Sequence, residues 1–70
     1  MKFKIGDYVR ISNELGGVIT STHRDRVGKI IFLSESPVPY YKVRFYDEDW
    51  VFFEGELLKS NKDEYLMEVL

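Results

Sequence analysis

Apolar and polar positions alternate most clearly between Tyr40 and Leu58, YYKVRFYDEDWVFFEGELL. Tyr41, Val43 and Phe45 alternate with Lys42, Arg44 and Tyr46, a period of two that places one set on each face of a strand. Asp47-Glu48-Asp49 interrupts the pattern and Trp50-Val51-Phe52-Phe53 resumes it. Two such runs around a short polar break predict an antiparallel hairpin, strands three and four of the chain. Upstream, Ile5, Val9 and Ile11 fall in one phase if Gly6-Asp7 bends the backbone, which predicts strand one over about Asp7–Ser12 with Tyr8 and Arg10 outward. Val27–Leu33 (VGKIIFL) predicts strand two, with Gly28 marking a bulge or a close approach of another backbone. Pro37 and Pro39 bar a strand between Ser34 and Pro39. Glu54–Lys59 suits a single 3-10 turn, with Leu57 or Leu58 capping the core. Ser60–Asp63 reads as a turn, and Tyr65–Val69 as strand five with Tyr65, Met67 and Val69 in phase.

The remaining stretch, Ser12 to Arg26, predicts a long loop. It holds Gly16-Gly17, a polar run Thr20–Arg26 expected in solvent, and three apolar residues, Leu15, Val18 and Ile19. Loops of this length in so small a domain are often functional.

Seventy residues make one domain, 1–70, with a thin margin of stability. The chain has no cysteine, so neither disulfides nor thiolate metal sites are available, and packing of its aromatic residues has to carry the fold. No apolar segment near the N-terminus resembles a signal peptide and none is long enough for a membrane span, so a cytoplasmic protein is expected. The net charge of −2 conceals an asymmetry. Residues 1–44 carry eight Lys/Arg against four acids, and residues 45–70 carry two against eight. The overall balance speaks against non-specific nucleic-acid binding but leaves room for a local basic patch.

The layout of five short strands, a long first loop, a central hairpin and a 3-10 turn before the last strand resembles a small SH3-like barrel. Gly6-Asp7-x-Val9-x-Ile11 is similar to the opening strand of KOW- and Tudor-type barrels, and Val27-Gly28-Lys29-Ile30 to their second strand. Tyr41–Phe45 through Glu56-Leu57 is similar to the closing hairpin and turn of small SH3-like proteins of phages and bacteria. The resemblance implies an all-β, single-domain, five-stranded barrel. The turn Phe53-Glu54-Gly55-Glu56 has neither the Pro nor the Tyr of a proline-rich-peptide groove, so that activity is not expected.

Candidate chemistry is sparse. His23 is the one histidine and has no obvious nucleophile near it, so it reads as a solvated loop residue. With no phosphate loop, HExxH or nucleophile elbow, neither an enzyme nor a cofactor is expected. Asp47–Asp49 with Glu54 and Glu56 matches no calcium loop and reads as a solvated turn. Tyr8, Tyr40, Tyr46 and Trp50 have the composition of an aromatic platform, which the Tudor resemblance would make a methyl-cation cage, but Trp50, in phase with Phe52, reads first as core. Val51 and Phe53 then face away from the core beside Lys42, Arg44 and Tyr46. Arg44, Tyr46, Val51 and Phe53 therefore form the favoured protein-binding site, unless Leu15, Val18 and Ile19 cover it. The alternative is a basic-aromatic surface for nucleic acid through Arg24, Arg26, Lys29, Lys42 and Arg44. A monomer or a weak homodimer, paired through edge strands or through Leu66 and Leu70, completes the expectations.

Overall fold

In a computed structural model, residues 2–12 and 23–70 are described. The elements run β1 (Tyr8–Ile11), β2 (Val27–Ser34), β3 (Tyr40–Arg44), β4 (Asp49–Phe52), a 3-10 turn (Glu54–Glu56), β5 (Leu57–Lys59) and α1 (Lys62–Val69). The strands form one antiparallel sheet in the order β4-β3-β2-β1-β5. Leu15, Val18 and Ile19, expected as a cover for the hairpin, lie outside the described residues.

The period of two explains the core. Val9 and Ile11 of β1, Ile30 of β2, Tyr41 and Val43 of β3, Phe52 of β4 and Leu57 of β5 all point to one side, where Phe3 and Phe45 complete a single buried cluster. Burying an aromatic or branched side chain fully stabilises the fold by about 1.5–3 kcal/mol, so these nine residues outweigh the surface terms. Tyr41 also brings a polar atom into the core, and it is satisfied there. Its hydroxyl accepts from the Phe3 N–H (3.1 Å) and donates to Glu54 Oε1 (2.7 Å). That pair of bonds fastens the N-terminal segment and the 3-10 turn to β3.

Gly28 is a close-approach glycine. A Cβ there would meet Val43 Cγ1 at 2.5 Å and the Arg44 carbonyl oxygen at 2.8 Å. The opposing atoms belong to a buried side chain and a backbone in the same sheet, so neither has room to withdraw. The register of β2 on β3 shifts between Ile30 and Phe32, a local irregularity that twists the strand. Gly6 holds a φ of 97°, a conformation natural to glycine, and turns the chain into β1.

Four expectations are corrected. Tyr65–Val69 is helix, not a fifth strand, so the fold is mostly β rather than all-β. Asn61 is the reason: its side-chain oxygen accepts the Glu64 N–H (2.9 Å) and its amide donates to Glu64 Oε1 (3.3 Å), an N-terminal cap. The last strand is instead Leu57–Lys59, which pairs with β1 directly after the 3-10 turn. Leu57 is buried and Leu58 exposed. Ile5 is exposed, because the turn at Gly6 carries it outward and Phe3 fills the core instead. Trp50 shares the phase of Phe52 but is 44% exposed, because it lies toward the hairpin turn on β4, an edge strand of the described sheet.

The helix is attached by its polar side. Arg10 binds Glu64, Tyr8 packs on Tyr65 with ring centroids 5.4 Å apart, and Glu68 accepts the Val27 N–H. None of its residues is buried, and Leu66, Met67, Val69 and Leu70 are exposed. Among the described residues, no helix is long and apolar enough to cross a membrane.

Gly28→Ala is expected to destabilise the protein by about 1–3 kcal/mol, the usual range for forced overpacking, and so to lower its melting temperature by several degrees. A thermal melt unchanged from the parent would refute the close-approach reading of β2 on β3.

Candidate functional site

The hairpin of β3 and β4 presents two faces. Its pairs are Tyr41–Phe52, Lys42–Val51, Val43–Trp50 and Arg44–Asp49. Lys42, Arg44 and Val51 therefore lie on the face away from the core, and Phe53 follows in the same phase. β2 extends this outer face, since Phe32 pairs with Lys42 and Lys29 with Arg44. One row reads Phe32–Lys42–Val51 and the next Lys29–Arg44–Asp49. Phe32 and Tyr40 lie together with ring centroids 6.2 Å apart.

Two grooves meet on this face. One, of about 410 Å³, is lined by Lys42, Val51, Phe53 and Glu56, with Trp50 and Phe52 at the strand edge. The second, of about 370 Å³, is lined by Pro37, Val38, Tyr40, Val51 and Phe53. Val51 and Phe53 stand between them as a shared ridge, and Phe53 is 52% exposed. Phe32 and Val38 are exposed as well.

The favoured site residues separate into two places. Val51 and Phe53 form the ridge. Arg44 stays in the outer face but is spent on Asp49, which accepts from its Nε (2.9 Å) and Nη2 (3.1 Å). Tyr46 is exposed at the hairpin tip, where the Arg26 guanidinium lies 5.3 Å from its ring centre. The basic residues separate too. Arg26 binds Asp47 (2.5 Å) and Glu68 (3.1 Å), lies 3.7 Å from Glu48, and rests 4.4 Å from the Phe45 ring centre. Arg24 is exposed, while Lys29 and Lys42 are exposed on the outer face. No protein family, curated protein or solved structure matches the chain.

His23 corrects the reading of Thr20–Arg26 as solvent-exposed; of that run, residues 23–26 are described. It is 4% exposed. Its ring stacks on Phe45 (5.4 Å, 20°) and on Trp50 (5.2 Å, 29°) and meets Phe52 edge-on (5.6 Å, 82°). Its Nε2 bonds Glu48. The half-exposed Trp50 is thus the lid of a buried imidazole, and the run Asp47-Glu48-Asp49 is tied to Arg26, His23 and Arg44 rather than free in solvent. The sequence held one signal for this: three adjacent acids in a turn whose neighbouring loop and strands are rich in Arg and Lys. Among the described residues, no group of three or more His, Asp or Glu converges as a metal site.

Electrostatics follow the pairing. A side-chain hydrogen bond from Arg26 holds the Asp47 carboxyl below its ordinary range, and Arg44 and Arg10 do the same for Asp49 and Glu64. Hydrogen bonds from Tyr41 and from the Lys2 N–H depress Glu54. Burial, followed by the bond to Glu54, raises the Tyr41 phenol. Depressed carboxylates stabilise the fold above their unfolded pKa, and that contribution is lost as pH falls through the folded values. A raised phenol acts in the opposite limb: its contribution is complete below pH ~10 and is lost as pH rises through the folded pKa.

These groups should therefore give the melting temperature an acid limb falling below about pH 5 and an alkaline limb falling above about pH 9. Glu64→Gln should make the acid limb shallower and speed amide exchange in α1 while leaving the β3 amides slow. Equal acid limbs in parent and variant would exclude the Arg10–Glu64 pair as a contributor.

Proposed function

We propose that the chain is a small SH3-like barrel that serves as a non-catalytic protein-binding module, with Val51 and Phe53 as its anchors. The strand order β4-β3-β2-β1-β5, with β1 paired on both sides and a 3-10 turn before the last strand, supports the barrel reading. The observation that carries the functional reading is the outer face of β2, β3 and β4. It exposes Phe32, Val38, Val51 and Phe53 around two grooves that share one ridge. Soluble proteins seldom leave a contiguous apolar patch with polar margins unless something docks there. Its margin carries Lys42 and the Arg44–Asp49 pair, the mixture of apolar centre and polar rim found in protein interfaces. Aromatic anchors in such a centre commonly carry most of the binding energy.

Nucleic acid is the second reading, and the pairing weakens it. Arg26 and Arg44 are each held by carboxylates, which leaves Arg24, Lys29 and Lys42 as the cations to track a phosphate backbone.

Phe53→Ser tests the reading. Affinity capture from a lysate, with and without nuclease, should retain one protein partner on the parent after nuclease treatment. The variant should lose at least about tenfold in that capture and still melt cooperatively, since its ring is half exposed. Retention that collapses with nuclease, or capture indifferent to Phe53→Ser, would reject the outer face as the protein-binding site.

A further inference from the structure

The free edge of β4 has a geometry that the outer face alone does not use. Across the hairpin turn, the Phe45 N–H donates to the Glu48 carbonyl (2.7 Å). Bonded and non-bonded pairs alternate along an antiparallel ladder. Val43–Trp50 and Tyr41–Phe52 are therefore the bonded pairs, and Arg44–Asp49 and Lys42–Val51 the non-bonded ones. The backbone N–H and C=O of Asp49 and Val51 consequently point away from β3, where no other strand lies among the described residues. Phe53, next in the same phase, is already satisfied. Its N–H donates to Glu56 Oε1 (2.8 Å) and its carbonyl accepts the Glu56 N–H (3.0 Å). The edge thus offers two residues with free backbone donors and acceptors, flanking an exposed Trp50.

That arrangement is complementary to itself. A twofold axis through Trp50 sets Val51 opposite Asp49 of the second copy and Asp49 opposite its Val51. Every free donor then meets a free acceptor. Trp50 comes opposite its own copy in a non-bonded pair, where side chains approach most closely. Charge agrees as well. The Lys42 ammonium makes no hydrogen bond or ion pair among the described residues, and the pairing extends its row, Phe32–Lys42–Val51, to Asp49 of the second copy. Asp49 of each copy then has its own Arg44 on one side and the second copy's Val51 on the other, with the second copy's Lys42 one strand further along that row. An isologous interface requires this kind of self-matching. Exposed edges left unblocked by proline or a buried charge invite it.

We infer that β4 is a homodimerisation edge, through which a second copy of the chain pairs antiparallel about Trp50. The paired hairpins continue the outer face across both copies, so the dimer carries two Val51–Phe53 ridges on one extended sheet. The inference stands apart from the identity of the partner that those ridges take. The pairing is short, so the dimer is weak and fills only at high concentration.

Sedimentation and amide exchange on the intact chain test it. Between roughly 10 μM and 1 mM the protein should pass from monomer to dimer. Exchange at the Asp49 and Val51 amides should slow roughly tenfold over that range, while the Trp50 and Phe52 amides stay slow throughout. Val51→Pro removes only the N–H that points to the free edge, and it should remain monomeric at about 1 mM with cooperative melting. If that variant does not fold, the exchange measurement on the parent decides. A parent that stays monomeric overturns the inference, as does a dimer in which Asp49 and Val51 gain no protection. A monomer that still captures a partner through Phe53 removes the strand pairing and leaves the protein-binding reading standing.

Discussion

Arg26 holds together parts of the chain that share no common core. Its guanidinium takes Asp47 from the hairpin turn and Glu68 from the helix, and rests on the face of Phe45. Single exposed ion pairs contribute little. This cation is half-buried and meets several carboxylates and an aromatic face at once, so each partner fixes the geometry for the others. The helix depends on such contacts because none of its residues is fully buried. The hairpin turn depends on them because three adjacent acids would otherwise repel one another.

The consequence for function is a division of labour between the two faces of one hairpin. The inner face spends Tyr41, Val43 and Phe52 on the core, and Trp50 on covering His23. The outer face spends its arginine on Asp49 and keeps its apolar residues uncovered by the described chain. With little material for a second layer, a domain this small covers one face of its sheet, and the described residues leave the other exposed. Exposed Val51 and Phe53 are the visible result.

Residues that follow one strong local rule were legible in the sequence. Tyr41, Val43 and Phe45 alternate and are buried. Gly28 interrupts a β-branched run and is a point of close approach. The 3-10 turn expected over Glu54–Lys59 forms at Glu54–Glu56, while Leu57–Lys59 goes to β5. Tyr65–Val69 obeyed two rules at once, since a five-residue apolar stretch satisfies strand alternation and helical spacing equally well. The Asn61 cap settled it, and that signal is a single side chain rather than a period. Val51 and Phe53 were legible as outward-facing because their phase is fixed once Phe52 is inward.

The sequence by itself determined the first four strands, the hairpin and most of the core that those strands supply, because a period of two and the demand to bury apolar area act locally along the chain. Only the tertiary structure decided the fates of Trp50, His23, Arg26 and Arg44. Trp50 has the phase of a core residue and lies at an edge, because strand order is a property of the whole sheet. His23 has the neighbours of a loop residue and is buried, because its aromatic partners come from 22 to 29 positions away. Arg26 and Arg44 look like free cations in a basic half of the chain. They are neutralised because folding brings the acidic half against them.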